Sequence, residues 1–415
     1  MKINSVFWVC LIFGRAMFNQ VQAQVNYNLD QAIDMAIQNN KRIKAAQMNI
    51  DQLEHLKRAS MAVPKTNIGL VYGQANSIQK KDNNFQINQT IPFPTFFSSN
   101  HALGNSKIKE VEWIKKMSEN DLKWQVKQQY YQLLFLYQKK KILLRQDSIA
   151  SSFLSYATLR EKEGEGTALE QTSAETQRFN ILNQIHQNDL DIAGNLFQLQ
   201  LLMGSELPIS IDTKELEELQ WDVLIDSMAV KQNPRLAYYQ AQINTIVNEK
   251  RVALSNVLPE LSVGYFNQSL IGPQNVNGTD VYFDVNKRFQ GVQVFLAIPL
   301  FYGSYHHQLK AKEIDIKIAE TNLEYEQLNF EIQFKQAVQE FSKNRNNLTY
   351  YKNYAIPNAN EILRAIEIGY SKGNIDYAEF LLNLSQVIQI QQEHLNAILN
   401  YNLSIIYLDY LSGNI

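Results

Sequence analysis

The feature that most constrains this chain is that it repeats itself at a nearly fixed offset. The turn Ile91-Pro92-Phe93-Pro94 returns as Ile298-Pro299-Leu300-Phe301, the glycine of Glu163-Gly164-Glu165 returns at Gly373, and Leu202-Met203-Gly204 returns as Leu411-Ser412-Gly413. The shifts are 207, 209 and 209 residues. That period is too long for a solenoid unit and points to a duplicated module that assembles with copies of itself.

Each copy changes its hydrophobic period in the same order. A helical pattern from Leu29-Asp30 through Ile43, Ile50 and Leu56 runs to Pro64, and it recurs from Asn233-Pro234-Arg235-Leu236 to Leu258-Pro259. Proline ends both, because the residue before it is pushed out of the α region. Beyond each proline the period becomes two. Ile68, Leu70 and Tyr72, then Phe85, Ile87 and Ile91, alternate with polar or small residues, as do Leu261, Val263 and Tyr265, then Val292, Val294, Leu296 and Ile298. This predicts four strands in two hairpins, each strand near the ten residues that a tilted membrane strand needs. The hairpin tips are polar, and the second, from Gly272 to Arg288, is the longer. Aromatics gather at the strand ends, at Phe93, Phe96 and Phe97 and at Phe301, Tyr302 and Tyr305. They suit either a membrane-interface girdle or a packed helix start.

The next segments are rods. From His101 to Glu163 no proline interrupts the spacing Leu122, Val126, Tyr130, Leu133, Tyr137, which predicts a helix on the order of 90 Å long at about 1.5 Å per residue. After Gly164-Glu165-Gly166 a return helix runs from Thr167 to Gly204; the second copy has a rod from Tyr305 to Lys372, a turn at Gly373-Asn374-Ile375 and a return from Asp376 to about Leu411. Rods of this length imply coiled-coil packing. The expected organisation is residues 24–204 as the first repeat, 205–226 as a charged linker with Pro208, and 227–415 as the second repeat.

The start of the chain reads as a secretory signal peptide over residues 1–23. Lys2 precedes an apolar run too short to span a membrane, and the segment closes in Val21-Gln22-Ala23. Cys10, the sequence's one cysteine, falls inside it, so the mature chain is expected to lack disulfides. A lipoprotein attachment at Cys10 is disfavoured by Trp8-Val9 before it. With 39 basic and 41 acidic residues, charge gives no nucleic-acid footprint. An exported chain without a long apolar helix can still enter a membrane as a β-barrel. Four strands cannot close a barrel, and an open edge cannot sit in hydrocarbon, so copies must share one sheet. Three chains would give twelve strands.

At this point the chain resembles the TolC-type outer membrane efflux proteins, the outer membrane factors. The resemblance rests on Asn233-Pro234-Arg235-Leu236 with Leu258-Pro259, on Ile91-Pro92 and Ile298-Pro299, on Ala355-Ile356-Pro357-Asn358-Ala359 and on Gly369-Tyr370 before Gly373. Two departures stand out: Asn40-Lys41 where an Asn-Pro is expected, and Ser148 where the second half has Pro357. The resemblance implies a mixed α and β membrane protein: a homotrimer with a twelve-stranded outer-membrane barrel, continued by a periplasmic α-helical coiled-coil barrel. It implies docking to a periplasmic adaptor and an inner-membrane pump, contact with outer-membrane lipid, and no cofactor. The segment from Lys65-Thr66-Asn67 to Pro94-Thr95 looks similar to members serving heavy-metal resistance-nodulation-division pumps. A type I protein secretion duct, or a soluble periplasmic coiled-coil adaptor or scaffold, are the alternatives.

By the same resemblance Glu379, with Asp376 and Glu170, would ring the narrow periplasmic entrance as a gate, favouring cations. The competing explanation is local: Thr167 with Glu170 and Asp376 with Glu379 both have capping-box spacing. Arg160, Gly164, Glu165, Gly166, Tyr370, Gly373 and Asn374 would form adaptor-docking tips, although glycines also serve as ordinary helix stops. No enzyme is expected. The six histidines show no metal-ligand spacing on one helix face, and no nucleophile or phosphate-loop motif occurs.

Overall fold

The computed structural model describes residues 26–74, 76–220, 229–372 and 374–413. The expected signal peptide with Cys10, the last part of the linker and the tip residue Gly373 lie outside them.

The first helical segment is two helices, α1 (Leu29–Asn39) and α2 (Lys41–Ala59), where a single run was expected. Asn28 and Gln31 form a complete capping box on α1, satisfying two backbone donors reciprocally. Asn40 then breaks the run and caps α2 through Arg42 N. Its counterpart Asn233 caps α5 (Pro234–Ser255) through Arg235 N. Proline at the first position of α5 therefore reinforces a break that the asparagine makes in both halves.

Each half continues into a hairpin: β2 (Asn67–Tyr72) with β3 (Asn83–Ile91), and β5 (Glu260–Ser269) with β8 (Arg288–Ala297). Antiparallel pairing of β3 with β5 joins them in a four-stranded sheet of order β2-β3-β5-β8. β2 has six residues, shorter than expected. The long second tip is also not a plain loop. It carries a ribbon of β6 (Gly272–Val276) and β7 (Thr279–Phe283), turned at Asn277-Gly278 with positive φ at both residues, the conformation a tight hairpin demands.

Both rods start earlier than predicted, the first at the turn proline Pro94 and the second at Gly303, beyond Pro299. α3 (Pro94–Lys162) is 69 residues, about 100 Å at 1.5 Å per residue, with proline in its first turn, where a missing N–H costs nothing. The second rod is interrupted: α6 (Gly303–Tyr350) passes through a π-turn over Tyr351–Ala355 into α7 (Ile356–Ser371). Pro357 explains the difference. It cannot donate to the carbonyl four residues back and its ring crowds that turn, so the helix widens. Ser148 at the matching place leaves α3 unbroken.

The return helices α4 (Ala168–Met203) and α8 (Tyr377–Ser412) both end on glycine in the left-handed region, Gly204 and Gly413. Each glycine lies against the start of its half's capped helix: a Cβ would meet Asn39 O at 2.9 Å from Gly204, and Asn233 Cα at 3.2 Å from Gly413. The asparagines close the same junction. Asn40 Nδ2 donates to Leu202 O at 3.2 Å, and Asn233 Nδ2 donates to Tyr410 O and Leu411 O at 3.1 Å each. The linker is structured where described. Its β4 (Ser210–Ile211) pairs in parallel with β1 (Asn26–Tyr27), and Asn402 holds Glu217 O and Leu219 N at 2.8 Å.

Two cores sit at this level, each drawing on both halves, with Leu395 and Leu399 in the first and Trp124 packed against the second. Leu133, Leu199 and Met203 are buried in the first with α1 and the linker; Phe330, Leu408 and Leu411 are buried in the second. A third cluster, around Phe153, Ile366, Phe380 and Leu384, lies at the far end of the rods.

Candidate functional site

Two surfaces carry the functional argument. The sheet is two-sided by its register. Ile68 pairs Ile87, Ile87 pairs Tyr265 and Tyr265 pairs Val292, while Val263 pairs Val294 and Leu261 pairs Leu296. Because side chains alternate, these residues share one face. That face is bare: Ile68 and Leu70 are 70% exposed and Val292 73%. On the opposite face Asn88 accepts from Gln293 Nε2 at 2.6 Å above the side-chain-free Gly264, and Thr90 bonds Ser262 at 2.8 Å. No Asp, Glu, Lys, Arg or His stands within segments 84–90, 262–268 and 289–295 on either face. β2 and β8 are free edges. Leu300 and Phe301, at the helix side of the band, are 79% and 87% exposed, which fits the girdle explanation for these two better than the packed helix start.

The rods show a matching incompleteness. α4 packs on α3 and α1, and α6 on α5 and α8. Phe179, Leu182, Leu190, Phe197 and Leu201 nevertheless form an exposed stripe on α4, and Ile314, Ile318, Tyr325, Leu328 and Ile332 form one on α6. Their steps of three, four, seven and eight residues keep each stripe on one side of its helix.

At the far end the rods turn. Gly164 takes a φ of 77°, and Arg160 holds the loop: its carbonyl accepts from Glu165 N and Gly166 N, and its Nη2 donates to Glu165 O at 2.9 Å. In the second turn Asn374 N donates to Gly369 O at 2.8 Å. Tyr370 is not free. Its ring lies 5.0 Å from both Phe153 and Phe380, and Phe153 also meets Tyr377 at 5.1 Å, so one aromatic cluster ties α3, α7 and α8 together. Sequence reading found Tyr370 alone, because the cluster joins residues more than 200 positions apart. The hydroxyl pKa values of Tyr370 and Tyr377 are raised, chiefly by burial and further by the Glu170 charge.

The candidate acids separate here. Thr167 and Asp376 do cap their helices, accepting from Glu170 N at 3.2 Å and Glu379 N at 2.8 Å. Only this forward bond marks each cap, whereas the box on α1 has both. Glu170 lines a cleft of about 520 Å³ between α4 and α8 with Leu169, Tyr377 and Leu382. Asp376 and Glu379 are exposed beside it. Among the described residues no three of His, Cys, Asp and Glu gather as a metal site.

A duplicated chain of long helical hairpins ending in a half-open four-stranded sheet has the fold of the TolC-type outer-membrane channels. Three solved structures share it. The outer-membrane channel OprN matches with a TM-score of 0.77 at 14% identity, over 93% of this chain and 90% of its own. CusC, described for its folding and transmembrane channel formation, matches at 0.76 and 15% identity over 94% and 93%. The Campylobacter jejuni CmeC outer membrane channel matches at 0.73 and 15% identity over 94% and 86%. No family model matches the sequence, and no curated protein does.

Proposed function

We propose that this chain is one third of an outer-membrane exit duct, passively conducting substrates that an inner-membrane pump of the resistance-nodulation-division type delivers through a periplasmic adaptor. The single observation that carries the reading is the sheet: an apolar face in the open, a polar face behind it, and two unpaired edges. Hydrocarbon tolerates neither free edge nor unpaired backbone, so β2 of one copy meets β8 of the next and the sheet closes. The apolar stripes of α4 and α6 then cover one another between the same neighbours, a head-to-tail contact that closes as a ring. A soluble periplasmic scaffold would leave the apolar sheet face in water, well beyond the patch size such proteins expose.

The barrel wall so formed is uncharged inside, its amides and hydroxyls interleaved with Phe266, Phe289 and Phe295, which leaves charge selection to the tips, where Glu170, Asp376 and Glu379 stand. The adaptor meets the turns at Arg160–Gly166 and around Asn374. Substrate choice rests with the pump. Fractionation and planar-bilayer recording test the duct: the full chain belongs in the outer-membrane fraction and opens ion-conducting channels, whereas recovery as a soluble periplasmic monomer refutes it. Comparing a deletion strain's sensitivity to copper, silver, zinc and cobalt with its sensitivity to dyes and detergents tests the heavy-metal branch.

A further inference from the structure

At the end of the apolar face away from the helices, the sheet changes character. Arg288 follows Gln290, Val292, Val294 and Leu296 in the same alternating row, opposite Ser269. Its guanidinium is stapled in place: Nε donates to Asn267 Oδ1 at 2.5 Å, Nη1 to Asn83 Oδ1 at 2.8 Å and Nη2 to Asn267 O at 2.9 Å. All three acceptors are neutral, and two of its five N–H groups remain for a ligand. The neighbouring carboxylates are engaged elsewhere. Asp82 is buried and accepts from Ser77, Ser269 and Ile271 N, Asp284 from Asn286 and Lys287 N, and Asp280 from Asn275. Among the described residues the guanidinium stands alone on this face: the neighbouring Lys287 holds its ammonium 5.2 Å from the Phe283 ring, which packs on Phe289 of the opposite sheet face.

An immobilised guanidinium with open donors and no carboxylate partner among the described residues is built for an oxyanion, because its fork matches two phosphate oxygens. Its depth names the source. It tops the apolar band, where Tyr72 and Tyr265 also lie on the same face, and such tyrosines mark the membrane–water boundary. We propose that Arg288 binds the phosphate of an outer-leaflet lipid headgroup, an inference that rests on the barrel reading.

The test uses the full chain in vesicles of phosphatidylcholine, with and without phosphatidic acid, followed by detergent extraction and native mass spectrometry of retained lipid. The wild type retains phosphatidic acid in preference to phosphatidylcholine. Arg288→Gln reduces that retention about tenfold, the size of one charge-assisted hydrogen bond, and Arg288→Lys falls between. If Arg288→Gln does not fold, Arg288→Lys decides the matter, because it keeps the charge but loses the fork: partial loss of the phosphatidic acid preference supports the site, and an unchanged preference overturns it. A purely structural Arg288 would lower thermal stability equally in both vesicles without changing lipid preference, and that result overturns the proposal. Displacement of the lipid by inorganic phosphate at equal concentration overturns the lipid assignment. A wild-type chain that inserts in neither vesicle overturns the barrel reading, and this site with it.

Discussion

Asn233 joins two functions that mutation can separate. Its Oδ1 caps α5 by accepting from Arg235 N at 2.9 Å, and its Nδ2 donates to Tyr410 O and Leu411 O at the end of α8. The residue is 2% exposed. Asn233→Ala removes a cap worth about 1 kcal/mol and two neutral bonds worth about 1 kcal/mol each. The expected loss is therefore about 3 kcal/mol, against about 2 kcal/mol for Asn40→Ala, which gives up the cap and the single bond to Leu202 O. Asn233→Asp is the diagnostic change. Aspartate caps a helix as well as asparagine does, but it has no donor and turns a carboxylate toward two carbonyl oxygens. The junction reasoning predicts that Asn233→Asp destabilises at least as much as Asn233→Ala. Urea unfolding of the full chain in detergent, followed by circular dichroism at 222 nm, measures all three. An Asn233→Asp midpoint equal to wild type, with Asn233→Ala lowered, would show that capping alone matters and would refute the claim that this side chain anchors the return helix.

The two helix-ending glycines give a graded prediction: both alanine variants carry about 1–2 kcal/mol of left-handed strain, but Gly204→Ala also drives Cβ against the Asn39 carbonyl and loses the larger share of thermal stability. Equal losses would remove the steric part of the account. At the hairpin tips, burial pushes the Asp82 carboxyl up, yet the bonds from Ser77, Ile271 and Ser269 outweigh it and hold its pKa below the ordinary value. The side chain is sealed from solvent, so burial is the largest single influence on it, and only the bonds taken together exceed it. A lowered folded pKa means that its contribution is complete above the unfolded value near 4 and is lost as pH falls through the folded one. Hydrogen exchange at Ile271 N should accordingly rise in that acid window, and in Asp82→Asn at neutral pH; protection unchanged in both would refute the claim that the Asp82 charge holds the Ile271 amide. Glu379→Ala should raise single-channel conductance or shift cation preference while leaving thermal stability nearly unchanged, because the cap uses the Asp376 side chain and only the backbone N–H of Glu379; unchanged conductance and selectivity would refute the gate.

Much of this was legible because the signals were local. Pro64 and Pro259 end helices, Pro94 starts one, and the alternation about Ile68 and Val292 marks strands, wherever such residues fall. The resemblance in residue order supplied the fold that the structure shows. What was illegible depended on distance or compensation. Ala32, Ala36, Ile43 and Ile50 keep a helical period straight across Asn40, so hydrophobicity gave no hint that its side chain would cap a new helix. The two-residue strands at Asn26 and Ser210 have no period to detect. Pro357 was visible as a departure, but whether a rod ends or widens at a proline depends on its neighbours. The tip cluster needed Phe153 and Phe380 to meet across two helical hairpins. For the candidate acids the capping partners could be read, while the placing of Glu170 in a cleft with Tyr377 and of Glu379 on open surface could not.

The central claim is that the two free edges of this sheet are each other's partners in neighbouring copies. With Cys10 the sequence's one cysteine and inside the expected signal peptide, a pair placed at Leu70→Cys on β2 and in turn at Val292, Val294 and Leu296 on β8 can be oxidised in isolated outer membranes and resolved by denaturing electrophoresis. The account predicts that one register yields covalent dimers and trimers and nothing larger. Chains that remain monomeric at every register, or a ladder that continues beyond three, would contradict it.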